Sequence, residues 1–212
     1  MKSIKQIFIA LALLCITPGI TPVMAEPIAG KDYTVVNPAQ STNSGKKIEV
    51  LEFFFYGCSH CYTLHPFLES WDKKKSKDVE FVLVPTIFSA PGETMARTHY
   101  ALDVLGQLKK LEVALYKAWN VNNIDLRTAA NATDFVVQQG VDRKQFNDAY
   151  NAFSTESKVM RSKQMAQSYG IRGTPTVIVD GKYLITGLQP ADTIKVLEAL
   201  VDKVRKERSG KR

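Results

Sequence analysis

The stretch Ile48-Glu49-Val50-Leu51-Glu52-Phe53-Phe54-Phe55-Tyr56-Gly57-Cys58-Ser59-His60-Cys61-Tyr62 decides the fold. From Ile48 to Tyr56 it is apolar except at Glu49 and Glu52. That length, with three phenylalanines, suits a strand buried on both faces, as in a parallel or mixed sheet. Gly57 ends the run. From Cys58 to about Lys75 the period changes: Tyr62, Leu64, Phe67, Leu68 and Trp71 share one broad helical face. Pro66 is expected to interrupt that helix and kink it. Two cysteines therefore sit at a strand-to-helix junction.

Downstream, Val79–Pro85 is a second buried-strand candidate. Gly92 to about Arg161 holds no convincing strand. Met95, Tyr100, Leu102, Leu105, Leu108, Leu111, Leu115 and Trp119, then Phe135, Val136, Phe146, Tyr150 and Phe153, recur at helical spacings. They predict four or five helices packed together, one of them opened by Asp142 with Gln145 in a capping-box arrangement. A helix from about Thr155 to Tyr169 stops at Gly170. Thr174-Pro175 then lead into strands Thr176–Val179 and Lys182–Thr186, joined by Asp180-Gly181, a strong hairpin signal. A last helix starts at Pro190 and reaches about Lys206. Upstream lie a short β-type run, Tyr33–Val36, ended by Asn37-Pro38, and a loop at Ser41–Gly45. The order is strand–helix–strand, a helical block, then helix–hairpin–helix. It predicts an α/β protein whose main domain, 26–91 and 162–212, is interrupted by an all-helical insertion at 92–161.

The chain has 212 residues, 45% hydrophobic and 23% charged, which excludes collagen-like, wholly disordered and coiled-coil classes. Its longest uninterrupted apolar stretch, Ile7–Ile16, is ten residues; a membrane-spanning helix takes about 20. Lys2 and Lys5 precede that stretch, Thr17-Pro18-Gly19 break it, and Val23-Met24-Ala25 stand before Glu26. Residues 1–25 thus read as a secretory signal peptide cleaved near Ala25. Cleavage removes Cys15, leaving Cys58 and Cys61, and takes the formal charge from +7 to +5. Lys203, Arg205, Lys206, Arg208, Lys211 and Arg212, opposed by Glu207, account for that remainder. The basic character is a tail effect, with a solvated helix end and a disordered tail expected from about 207 to 212. A nucleic-acid platform would need basic residues interleaved with aromatics across a folded face, so no nucleic-acid partner is expected.

The chemistry lies in Cys58-Ser59-His60-Cys61. This spacing lets one sulfur attack and the other resolve a mixed disulfide. A helix start aims unpaired N–H groups and the positive end of its dipole at Cys58, favouring thiolate. Cys61, one turn in, should be more buried and less reactive. His60, protonated or through an N–H, adds to the thiolate. Stabilising the reduced thiolate makes the disulfide a stronger oxidant. Other readings of the same residues are weaker. A structural disulfide over so small a loop constrains little of the unfolded chain. A c-type haem site needs His where Tyr62 stands. Structural zinc needs four ligands, and Cys58, Cys61, His60 and His65 lack the usual spacing. No metal or other cofactor is expected, and His65 and His99 read as surface or core histidines.

The stretch Glu52–Tyr62, with Gly170-Ile171-Arg172-Gly173-Thr174-Pro175-Thr176 and Gly181-Lys182-Tyr183, resembles the DsbA family of periplasmic thiol:disulfide oxidoreductases over essentially the whole mature chain. The resemblance implies a thioredoxin fold with an inserted all-helical domain, matching the element order. It implies that Cys58 is the nucleophile, Cys61 the resolving cysteine and Cys58–Cys61 the redox-active disulfide. His60 matches the histidine of the family's Cys-Pro-His-Cys, and Ser59 replaces the proline. Pro175 resembles the cis-proline facing the disulfide, leaving neighbouring backbone free to pair with a substrate strand. Thr174 stands where valine is more usual, its hydroxyl able to bond sulfur. Glu52 resembles the buried acid beneath the site, opposing a thiolate or accepting a proton from Cys61; an edge-exposed strand residue is the alternative. The implied partners are unfolded exported polypeptides and a DsbB-like inner-membrane, quinone-linked oxidase, served by a soluble periplasmic monomer. A same-fold isomerase or reductase, or a non-catalytic chaperone-like module, are the rival readings. Against an isomerase, about 22 residues between Glu26 and the first core strand are too few for an extra dimerisation domain.

Overall fold

The structure is a computed structural model that describes residues 26–210. The signal peptide expected over 1–25, with Cys15, and the last two residues of the expected tail lie outside the described residues. Strand β2 (Ile48–Phe54) is buried at every position because it runs through the middle of a mixed sheet. It is parallel to β3 (Val79–Pro85) on one side and antiparallel to β4 (Thr176–Val179) on the other. β4 continues antiparallel to β5 (Tyr183–Thr186), and β5 to β1 (Thr34–Val35), giving the order β1-β5-β4-β2-β3. In the β4–β5 turn Asp180 and Gly181 both take positive φ, 53° and 68°, the pattern of the tightest hairpin turns. Gly181 has a second reason to be glycine: a Cβ there would stand 2.1 Å from the Gln40 carbonyl oxygen.

Side chains alternate across β2. Val50 packs with Leu64, Leu68 and Trp71 of α1 (Ser59–Lys74) and Leu197 and Leu200 of α7 (Pro190–Ser209). Leu51 and Phe53 face the other way, onto Ile178, Ala166 and Tyr169. The same alternation puts Glu52 on the Val50 face, beneath α1. Helix α1 runs unbroken through Pro66, contrary to the expected interruption. Buried Leu64 on one side of the proline and Leu68 and Trp71 on the other hold both turns to the sheet, and such packing outweighs one lost backbone bond.

Between β3 and β4 come five helices: α2 (Ala90–Val104), α3 (Leu108–Asn120), α4 (Ala129–Gln138), α5 (Arg143–Tyr150) and α6 (Phe153–Ser168). The Asp142 carboxylate caps α5, accepting from the Gln145 N–H at 2.8 Å. The boundary expected at 161/162 falls inside α6. The first part of that helix joins α2 through Arg97–Glu156 and Tyr100–Ser162, while Met165 and Ala166 pack on the sheet. Over 207–209 the expected disordered tail is helical instead. α7 extends to Ser209 because Glu207 takes the Tyr183 hydroxyl and Lys182, and Arg208 pairs with Asp180. Leu102, Leu115, Tyr116 and Phe146 of the helical block share one core with Phe54, Tyr56 and Cys61, so the dithiol lies on the seam between block and sheet. Among the described residues no helix is long and apolar enough to cross a membrane.

Candidate active site

The strand-to-helix turn delivers Cys58 as the N-cap of α1, in extended backbone (φ −89°, ψ 117°). Its N–H donates to the Phe55 carbonyl at 3.0 Å, closing the turn over Tyr56-Gly57. Both cysteines are free thiols, Cys58 half-buried and Cys61 fully buried. Cys58 Sγ donates to the Thr174 carbonyl at 3.3 Å, and the Thr174–Pro175 bond is cis. The thiol form makes no side-chain cap bond at the head of α1. The N–H groups of His60 and Cys61 are therefore open to a thiolate.

These donors split the acidities of the two sulfurs. The Cys58 thiol is lowered to about 5, chiefly because the Cys61 S–H hydrogen-bonds to its thiolate. Partial burial opposes this; the Thr174 side chain and the N–H groups of Cys61 and His60 add to it. The Cys61 thiol is pushed well above the ordinary range by that same hydrogen bond, then by burial and by nearby Glu52. What His60 offers Cys58 is its backbone N–H, and its ring is exposed. Ser59 is also exposed, and its carbonyl accepts from Thr63 Oγ1 at 2.9 Å.

Glu52 is fully buried, so the edge-exposed alternative is overturned: β4 covers the side of β2 that an edge would leave open. Among the described residues neither carboxyl oxygen has a hydrogen-bond partner. Burial first, then Glu112 and Cys58, raise its pKa to about 8. Glu112, on α3, is raised to about 7 by burial and by Glu69 and Asp72, and one of its oxygens is also unpartnered. Both acids line a cavity of about 820 Å³, with His65 and His99 in its wall. Of the two places left open for them, both histidines take the core. Burial drives His99 down to about 4, so it is neutral at pH 7, and its Nδ1 and the Tyr56 hydroxyl share a hydrogen bond at 2.9 Å.

Glu112 was invisible in the sequence, because only tertiary packing carries it from α3 to the cavity it shares with Glu52. The same holds for Asn120, whose Nδ2 donates to the Tyr56 carbonyl at 2.7 Å. Trp119 was legible only as a core aromatic; it lies on Phe55, with ring centroids 5.2 Å apart. Among the described residues no three His, Cys, Asp or Glu side chains are grouped to hold a metal ion.

Two thiols forced this far apart in acidity, on a thioredoxin-like sheet with a helical block on its flank, are built to trade a disulfide, and the fold and site define a thiol:disulfide oxidoreductase. A family model described as a DSBA-like thioredoxin domain matches residues 84–197, just over half of the chain. The chain belongs to the DsbA family. It is 38% identical over 186 residues to the thiol:disulfide interchange protein DsbA of Burkholderia cepacia, covering 85% of this chain and 87% of that one. It is 35% identical over 191 residues to the protein of the same name from Pseudomonas syringae pv. tomato, covering 88% and 89%. The crystal structure of Pseudomonas aeruginosa DsbA superposes with a TM-score of 0.83 at 30% identity, over 86% of this chain and 97% of that one.

Proposed function

We propose that this disulfide-forming oxidoreductase is exported by residues 1–25, works as a soluble periplasmic monomer and donates the Cys58–Cys61 disulfide to newly exported, unfolded polypeptides. A client thiolate attacks Cys58 Sγ, forming a mixed disulfide and releasing Cys61 as thiolate. Because Cys61 is a very weak acid, it takes a proton at once; Glu52, with a pKa of about 8, is neutral at pH 7 and can supply it. A second client thiolate then attacks the client's own sulfur and expels Cys58 as thiolate. The client is oxidised by two electrons and the enzyme reduced by two. Cys58 leaves readily because its pKa is low, and the weaker the acid it replaces, the more favourable the transfer.

The observation that carries this reading is the split between a half-exposed acidic thiol and a buried weak one. Extended client backbone pairs beside Pro175, with Thr174 and Ser59 flanking the sulfurs. The helical segment is one insertion within a discontinuous thioredoxin-like unit, and its C-terminal limit lies inside α6, near 161/162, where the helix passes from α2 to the sheet. Reduced enzyme is returned to the disulfide by a DsbB-like, quinone-linked membrane oxidase, and Glu52 as carboxylate then accepts the Cys61 proton.

Cys61→Ser in exporting cells tests it. Client adducts should accumulate through Cys58 and be released by reductant; a variant that folds and traps none overturns the donor role. The glutathione redox equilibrium of residues 26–212 should give a potential near the roughly −120 mV characteristic of DsbA. A value near thioredoxin's roughly −270 mV would make the protein a reductant.

A further inference from the structure

The turn that presents Cys58 has a choice of shape. With the Cys58 N–H bonded to the Phe55 carbonyl, Tyr56 and Gly57 are its two central residues. The two common forms of such a turn differ by a flip of the central peptide, and the second form needs positive φ at the second central residue. Glycine at that place normally allows the flipped form. Gly57 does not adopt it, since its φ is not positive.

Two residues at the end of α3 oppose the flip. Asn120 Nδ2 donates to the Tyr56 carbonyl at 2.7 Å and to the Tyr116 carbonyl at 2.9 Å. Flipping the Tyr56–Gly57 peptide would turn the Tyr56 oxygen away from this donor. Trp119 closes the space from the other side: a Cβ on Gly57 would stand 2.6 Å from Trp119 Cε2 and 2.5 Å from Phe55 Cε1. Gly57 is thus glycine because Trp119 lies against it, and the conformational freedom that comes with glycine is removed by Asn120.

We propose that Asn120 and Trp119 are positioning residues for Cys58: from the helical block they hold the Tyr56–Gly57 peptide in one orientation, keeping Cys58 Sγ in line with the first-turn N–H groups of α1 and the Cys61 thiol. The proposal rests on the reading of Cys58 as the exchanging thiol. Hydrogen bonds lose strength steeply with angle and distance, so a flip of the Tyr56–Gly57 peptide, one residue before Cys58, costs the thiolate its donors. It also gives the insertion a part in the chemistry, since α3 reaches across the seam to the turn.

The test measures thiolate absorbance against pH in the reduced protein, together with the glutathione equilibrium and thermal stability. The ionisable groups around Cys58 are Cys61 and His60 on α1 and Glu52 on β2, and all stay unchanged. Asn120→Leu removes the donor at similar volume. Asn120→Ser is the milder variant, its hydroxyl free to bond the Tyr116 carbonyl four residues back but too short for the turn. Trp119→Leu opens the space beside Gly57. Each should raise the Cys58 midpoint by about 0.5–1 unit, a roughly three- to tenfold weaker acid, and move the glutathione equilibrium toward oxidised enzyme by a similar factor. Phe146→Leu, in the core of the same block but away from the turn, should lower thermal stability and leave the midpoint in place. An unmoved midpoint in the folded Asn120 and Trp119 variants, or an equal shift in Phe146→Leu, overturns the proposal. An ordinary thiol midpoint in the parent protein would instead overturn the reading of Cys58 itself.

Discussion

Two buried acids, one on the central strand and one in the turn that follows its neighbour, are treated in opposite ways. Asp180, in the β4–β5 turn with its side chain 4% exposed, is paired with both Arg208 and Lys182. Arg208 is fixed in turn by the Lys46 carbonyl at 2.7 Å, and Lys182 by Glu207 at 3.0 Å. Glu52, on β2, is buried completely and left without a partner among the described residues. The first acid is satisfied and fastens α7 to the hairpin. The second is held in a state that folding alone would not select, and it lies beneath the one pair of thiols with shifted acidities. A buried polar group left unpaired costs stability, so the difference separates a group kept for the fold from one that, in the proposed mechanism, is kept for its proton.

The largest effect that would sharpen the contrast comes from Glu52→Gln. Because the folded pKa of Glu52 is about 8, the folded state keeps its proton while the unfolded chain gives it up from about pH 4.5 upward. Stability is therefore lost as pH rises through that window. At pH 7 the loss amounts to about 3 kcal/mol. Glutamine does not titrate, so its stability relative to the parent should grow by about that amount between pH 4 and pH 7 in urea unfolding, while disulfide transfer slows. A variant whose stability tracks the parent at both pH values would mean that Glu52 is ionised and satisfied, and the contrast with Asp180 would collapse.

Asp180→Asn is the complementary experiment. Asparagine tolerates the φ of 53° at this position, so the turn survives while the charge goes. The loss should be about 2 kcal/mol, the scale of breaking a buried charged hydrogen-bond set whose partners can still reach water. The Cys58 thiolate midpoint and the transfer rate should stay as they are. A change in either would show that the turn is coupled to the dithiol and that the division between the two regions is false.

The same contrast explains which parts of the molecule could be read from sequence. β2, β3, β4 and the Asp180-Gly181 turn carry their own signatures, apolar runs of strand length and a turn dipeptide, so their places were legible, though β2 ends at Phe54 and not at Tyr56. The dithiol at the head of α1 was equally local. Whether Glu52 is buried depends on β4, which arrives from far along the chain, so its own neighbours left the matter open. Glu207 and Arg208 look like a solvated tail until Lys182, Tyr183 and Asp180 are brought beside them. Asn120 and Glu112 sit in an ordinary amphipathic helix, and only the packing of α3 against the turn and α1 gives them partners or takes partners away.

The smallest expected effect tests whether the dithiol side is tuned by single contacts. Thr174→Val keeps the shape of the side chain and the carbonyl that accepts from Cys58 Sγ at 3.3 Å, but it removes the hydroxyl that favours the thiolate. The Cys58 midpoint should rise by about 0.3–0.5 unit, discounted because the sulfur is half exposed to water. The glutathione equilibrium should move roughly two- to threefold toward oxidised enzyme. A thiol whose pKa is depressed to about 5 in the folded state contributes stability above its unfolded pKa and loses it as pH falls through 5. The variant's thermal deficit should therefore be level above about pH 6.5, where Cys58 is ionised in both folded proteins, shrink as pH falls through 5 and be absent from the oxidised protein, in which Cys58 has no proton to lose. A deficit of the same size in the oxidised protein, or one independent of pH, would mean that Thr174 packs rather than tunes, placing it with Asp180 among the groups kept for the fold.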